Sequence, residues 1–291
     1  MAQRLVVVGS VLVMMMRARA AQTCPSNSPL SCHNTSAVVD TCCFLPSGQL
    51  LQTQFWDTAP ATGPSDSWTV HGLWPDNCDG SFAASCDESR AYKNLSSILP
   101  DDLLSNMGVF WKDSRGDDEQ FWEHEWAKHG TCISTLEPQC FPSNYKPGDE
   151  AVAFFSRTMS LFASLPTYTW LYDAGVMPLS DESYSRARML AALKEKHGAP
   201  VTLRCKANAL TEVWYHYNLR GSLQDGQLVP AAPAGLRGNC PPTLRYLPKE
   251  GGRDGGNNGG SGGNDGDQNQ ASRTRMPWLY SLFAMLACVC L

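Results

Sequence analysis

The sequence predicts an α+β fold, and three observations point there. Residues 50–56, 67–74, 201–206 and 211–219 are rich in Thr, Val, Trp and Tyr and read as strands. Residues 118–128, 149–165 and 182–197 read as helices, the last followed by Gly198 and Pro200, which together make a stop signal. The two kinds of run mix without a regular β-α-β alternation, and no glycine-rich phosphate loop follows a strand. All seven runs fall within residues 22–248, which are expected to form one domain without internal repeats or a long linker.

The chain has 291 residues, of which 43% are hydrophobic and 18% charged, so a fully disordered or fibrous protein is excluded. Residues 1–21 carry Arg4, an apolar run over 5–16 and the small-residue site Ala18-Arg19-Ala20. This is the pattern of a secretory signal, too short to span a bilayer comfortably. Residues 249–275 are dominated by Gly, Asn and Asp and are expected to be a flexible linker. An uncharged run, 276–291, follows. Small residues, a polar spacer and this tail fit a GPI-attachment signal, and so a membrane tether; an ordinary hydrophobic tail fits as well. The expected localisation is secreted, at the cell surface if tethered, with a vacuolar destination as the alternative.

The formal charge is −5, which at first sight argues against a polyanionic partner. Removing the three arginines of the signal from the 23 basic residues leaves 20 against 28 acidic, a net of −8. All six histidines lie in the mature region, so acidic pH would bring the molecule close to neutrality. Of the twelve cysteines, Cys288 and Cys290 lie in the tail. The other ten form an even set that implies about five bridges in an oxidising compartment, with pairing that spacing alone does not choose. Sequons at Asn34 and Asn94 suit a glycosylated surface.

Two segments concentrate chemistry. In Ser67-Trp68-Thr69-Val70-His71-Gly72-Leu73-Trp74-Pro75-Asp76, strand alternation is expected to put Thr69, His71 and Leu73 on one face. Trp68, Val70 and Trp74 then take the other face, and Pro75 ends the strand. Gly72 marks a place where another backbone or a ligand can approach closely, and a merely hydrogen-bonded core His71 is the plainer alternative. In Phe121-Trp122-Glu123-His124-Glu125-Trp126-Ala127-Lys128-His129-Gly130-Thr131-Cys132, helical spacing gathers His124, Glu125, Lys128 and His129 on one side, with Gly130 as the stop. His124-Glu125 opens like a zinc-binding H-E-x-x-H, but the second histidine comes five residues on and Lys128 takes its place, so a zinc site is rejected. Two histidines from separate segments, beside a carboxylate and an ammonium, suit acid/base cleavage of a phosphodiester by its own 2′-hydroxyl.

Together the two segments resemble the active-site motifs of the ribonuclease T2 family, and the cysteines, including adjacent Cys42-Cys43, resemble its fungal secreted branch. The resemblance implies a central antiparallel sheet packed with helices and a monomer that acts on single-stranded RNA. It also implies cleavage through 2′,3′-cyclic phosphates to 3′-phosphates without metal or other cofactor. By motif position, His71 and His129 are the acid/base pair, Glu125 and Lys128 assist at the phosphate and His124 binds it. His129 is favoured as base and His71 as acid, with the reverse kept open. Trp74, Asp76 and Phe82 are expected to receive the first base, preferring adenine, and Phe121 the second. Asp76 as a turn residue and Phe121 as a core aromatic are the plainer readings. The resemblance further implies disulfides Cys24–Cys43, Cys32–Cys78, Cys42–Cys140, Cys86–Cys132 and Cys205–Cys240. His33, His197 and His216 have no motif support and are expected to be surface or structural. A catalytically dead relative that binds RNA or a cell-surface partner is the rival reading, and retention of both motif histidines, Glu125 and Lys128 counts against it.

Overall fold

The computed structural model describes residues 23–33, 40–235 and 238–249. The expected signal, Asn34, most of the expected linker and the hydrophobic tail lie outside the described residues. In chain order the elements are β1 (Gly48–Phe55), β2 (Thr69–Asn77), α1 (Asp101–Phe110), α2 (Asp118–Lys128), α3 (Asp149–Ala163) and α4 (Thr167–Asp173). Then come β3 (Tyr184–Ser185), α5 (Arg186–His197), β4 (Thr202–Lys206), β5 (Ala209–Arg220), β6 (Gln227–Pro230) and β7 (Thr243–Leu244).

The main sheet has the order β2-β1-β5-β4, with β6 also paired to β5, and every ladder in it is antiparallel. β3 and β7 make a separate two-stranded ribbon. The class is therefore α+β, with helices packed on an antiparallel sheet. β1 is central and almost wholly buried, so its polar side chains must find partners inside. Gln54 accepts a hydrogen bond from Thr167 Oγ1 at 2.6 Å, and Gln49 receives Ala234 N–H at 3.0 Å.

β2 departs from simple alternation. Its register against β1 slips between Thr53 and Gln54, so that His71 is an extra residue between Val70 and Gly72. The expected face assignment fails as a result: Val70 and Leu73 are both fully buried, whereas His71 and Trp74 share the other side, their rings 4.6 Å apart. Pro75 does not end the strand. It pairs with Leu50 inside β2, where an edge strand tolerates a missing N–H.

Helix α2 starts where Asp117 accepts a hydrogen bond from Gln120 N, with Asp118 and Glu119 in its first turn and Lys128 in its last, complementing the helix dipole. It buries Trp122 and Trp126 among Trp111, Phe154 and Phe155 of the neighbouring helices. Gly130 is not a left-handed stop; the chain tightens into a 3₁₀ turn, Gly130–Cys132. A Cβ on Gly130 would come within 2.3 Å of the Trp126 ring, so close packing is what requires glycine here. α5 is shorter than its expected range because Tyr184 and Ser185 are drawn into β3 by pairing with β7. Gly198 ends it in the left-handed conformation.

Five disulfides join Cys24 to Cys43, Cys32 to Cys78, Cys42 to Cys140, Cys86 to Cys132 and Cys205 to Cys240. The domain extends through Lys249, the first residue of the expected linker. Its Nζ donates to the carbonyls of Thr62, Pro64 and Ser67 and lies 4.5 Å from the Trp56 ring centroid. Among the described residues no helix is long and apolar enough to cross a membrane.

The bridges close loops of different length, with separations of 98 residues for Cys42–Cys140 and 19 for Cys24–Cys43. Loop-closure entropy gives about 4.7 and about 3.2 kcal/mol respectively. Removing the former as a Cys→Ala pair is therefore expected to lower unfolding free energy in urea by more than removing the latter; the reverse order would show that native contacts, not chain entropy, dominate.

Candidate active site

The bulge in β2, the buried face of α2 and the start of β5 converge on one imidazole. His71 lies flat on Phe55, with ring centroids 3.8 Å apart, and has Phe121 at 6.0 Å. Its Nε2 is 3.9 Å from Glu125 Oε1 and its Nδ1 is 3.7 Å from Glu212 Oε2. Two carboxylates from different elements thus face opposite edges of the same ring.

Glu125 is 1% exposed. Its Oε2 accepts the indole N–H of Trp74 at 2.9 Å. That oxygen lies over Gly72, where a Cβ would meet it at 2.0 Å, so the close approach at Gly72 is by this side-chain carboxyl and not by the expected backbone or ligand. Burial pushes the Glu125 carboxyl above its usual range, against the opposing pull of His71, the Trp74 N–H and Lys128.

On its other side Trp74 stacks on His129, with centroids 5.1 Å apart and planes at 21°. His129 is 5% exposed. Burial, reinforced by Lys128, His71 and His124, pushes its pKa down to about 3, so the imidazole is neutral across the mildly acidic range. The end of α2 that carries it is fastened from outside. Ser85 N donates to Lys128 O, Cys86 N to Thr131 Oγ1, and Cys86 is bonded to Cys132. Arg90, 6% exposed, donates to the carbonyls of Thr131 and Leu136. His124 sits on the exposed rim, and with Lys128, Ser85 and Phe121 it lines an open cleft of about 470 Å³. Burial, followed by Lys128 and His71, holds the His124 pKa below its ordinary value.

A second group adjoins Trp74. Asp76 pairs by an isolated bridge with Phe82, whose ring is 60% exposed, while Asp76 itself is 4% exposed. Burial pushes the Asp76 carboxyl up to about 7. Below that pH the group has one O–H donor and one carbonyl acceptor.

The structure thus brings together His71, Trp74, Glu125 and His129, sets Lys128 and His124 beside them, and places Asp76 with Phe82 and Phe121 with His71. Asn94 is exposed, as a sequon requires. His33 is exposed, while His197 and His216 are buried. His216 lies between Thr202 Oγ1 and Gln49 Oε1, both at 3.0 Å, and burial pushes its pKa down to about 3. Sequence reasoning missed Phe55, Glu212 and Trp214, which reach the site only through sheet register. The available signal was an acidic residue at position 212 inside a run otherwise read as strand.

The profile of the Ribonuclease T2 family matches residues 47–227. Ribonuclease Trv of Hypocrea rufa is 61% identical over 235 residues, covering 79% of this chain and all of that protein. A ribonuclease T2-like protein of Aspergillus fumigatus is 55% identical over 77% of this chain, which spans 56% of that longer protein. Among solved structures, the T2 ribonuclease Actibind superposes with a TM-score of 0.76 at 45% identity, covering 79% of this chain and all of Actibind. Human RNase T2 gives a TM-score of 0.52 at 27% identity, covering 69% of this chain.

Gly72→Ala is expected to force the Glu125 carboxyl off the Trp74 N–H. A misplacement of this size costs about a hundredfold in turnover, and the variant should retain a native circular dichroism spectrum; full activity would show that the carboxylate relaxes freely. For Asp76, the folded-state pKa of about 7 lies above the ordinary value of 3.8, so the folded protein binds the proton more tightly and stability from this group falls as pH rises from about 4 to about 7. Asp76→Asn should therefore gain thermal stability over the parent as pH rises through that window and hold a constant gain above it. A pH-independent difference in Tm would contradict the assignment.

Proposed function

Because this chain belongs to the ribonuclease T2 family, we propose that it is an endoribonuclease that cleaves single-stranded RNA by acid/base transesterification, without a metal or other cofactor. The observation that carries the reading is the contrast between the two imidazoles about Trp74. His129 is buried and neutral, and His71 is bracketed by two carboxylates. The neutral imidazole suits the base, and the one that faces the Glu212 carboxylate suits the acid.

In the first step His129 accepts the proton of the 2′-hydroxyl, and the 2′-oxygen attacks the adjacent phosphorus. His71 gives its proton to the departing 5′-oxygen as the P–O5′ bond breaks, leaving a 2′,3′-cyclic phosphate. In the second step water replaces the 5′-hydroxyl and the roles reverse: His71 takes a proton from water and His129 returns one to the 2′-oxygen, giving a 3′-phosphate. Lys128 and His124, on the cleft side of α2, supply positive charge to the phosphorane. Glu125, whose carboxyl burial pushes above its usual range, hydrogen-bonds a phosphoryl oxygen in its protonated form.

Asp76 and Phe82 form the receptor for the first base with Trp74, and Phe121 supports the second. A protonated Asp76 offers a donor to adenine N7 and an acceptor to its N6 amino group, which favours adenine below about pH 7. The five disulfides suit an oxidising, extracellular or vacuolar compartment. A monomer suffices for this chemistry, since every group named comes from one chain.

The purified protein, incubated with poly(A) and EDTA between pH 4 and 7, is expected to release fragments with 2′,3′-cyclic ends that later open to 3′-phosphates. Absence of cleavage throughout that range would sink the reading. His129→Phe should abolish both steps, and retained opening of the cyclic phosphate would move the base to another group.

A further inference from the structure

We propose that Glu212 is the positioning residue for His71: its carboxylate holds the imidazole through Nδ1, turning Nε2 toward the scissile bond and favouring the protonated ring. This inference rests on the reading of His71 as the group that protonates the leaving oxygen.

Glu212 lies in the sheet and not in either active-site segment. In register it stands opposite Phe55 of β1 on one side and Arg204 of β4 on the other, so the three side chains share a face. Phe55 is the floor on which the His71 ring rests, and Glu212 therefore stands at the edge of that floor. One of its oxygens, Oε2, is fixed by the Trp214 indole N–H at 2.7 Å, and the guanidinium of Arg204 lies over the Trp214 ring at 5.1 Å. The same oxygen is the one 3.7 Å from His71 Nδ1. That Nδ1 is buried and makes no hydrogen bond among the described residues, so Glu212 is the acceptor that it faces.

Burial pushes the Glu212 carboxyl up, but His71, the Trp214 N–H and Arg204 outweigh it and hold the group below its ordinary range. Its charged form is thereby favoured where it faces His71. The 3.7 Å separation is longer than a hydrogen bond, and catalytic hydrogen bonds that are long in a free enzyme often tighten when substrate binds. A carboxylate at Nδ1–H fixes both the tautomer and the orientation of an imidazole, and stabilises its cationic form.

Other titratable groups interact with the same ring: Glu125 and His124 from α2, His129 at its end and Asp57 just after β1. Glu125 faces Nε2, where the leaving oxygen must come, and is engaged by Trp74. Asp57 accepts a hydrogen bond from Thr62. Among the described residues only Glu212 presents a carboxylate at Nδ1, within the 4 Å reach of an ion pair.

The test is Glu212→Gln, an isosteric change that removes the charge, with Glu212→Asp as the conservative control. In the full protein, NMR titration of the His71 ring is expected to move to lower pH by about one unit in Glu212→Gln, the effect of losing one opposite charge at this range. On the alkaline limb of the poly(A) profile, kcat should fall about tenfold at any given pH while KM stays constant, because the acid is less often protonated. Glu212→Asp should recover most of the shift. An unmoved His71 titration in Glu212→Gln would overturn the proposal, as would an equal loss of kcat at every pH with no recovery in Glu212→Asp. Failure of the parent protein to cleave RNA at all would instead count against the function proposed above, and the NMR titration reads the Glu212 contact regardless.

Discussion

The contact on which the site depends is the one between a buried carboxylate and a strand that has no side chain beneath it. Glu125 comes from α2, and Gly72 and Trp74 come from β2. The carboxylate oxygen rests on the Gly72 Cα and takes the Trp74 N–H, which locks helix to sheet at the point where both histidines diverge. Burying a carboxyl is expensive unless it is hydrogen-bonded or neutralised. Here Trp74 supplies the hydrogen bond and burial itself favours the neutral form. The same indole carries His129 on its face and meets the edge of His71, so one aromatic ring sets the placement of both imidazoles.

Around that contact, the fold treats the two histidines differently. His129 is sealed at the end of α2 by the 85–90 segment, by Arg90 and by the Cys86–Cys132 bridge, and it loses its affinity for protons there. His71 stands on a bulge at the sheet edge, among aromatic rings and between carboxylates. The net negative charge of the chain therefore says little about its partner, because the cleft-facing end of α2 carries His124 and Lys128 regardless of the total.

Much of this was legible from local chemistry. α2 was readable residue by residue because its cap, its dipole charges and its tryptophans lie within one helix's reach of one another. The short strands β3, β6 and β7 were not, since two to four residues carry no period and exist only because a partner strand is present. The bulge at His71 was hidden because alternation is counted along one strand, while a bulge is a property of two. Glu212 was hidden for the same reason: it meets His71 across 141 positions of sequence and by way of two ladders.

Lys249 fastens the C-terminal end of the domain to a distant loop. Its ammonium grips three carbonyls of residues 62–67 at once, and just before it the Leu247 carbonyl accepts the Trp56 indole N–H. The loop that the ammonium holds is tied in turn to Asp57 through Thr62, and Asp57 lies two residues after Phe55, the aromatic floor of His71. The C-terminal end of the domain is thus fastened, through one ammonium and one threonine, to the segment that adjoins the site of chemistry.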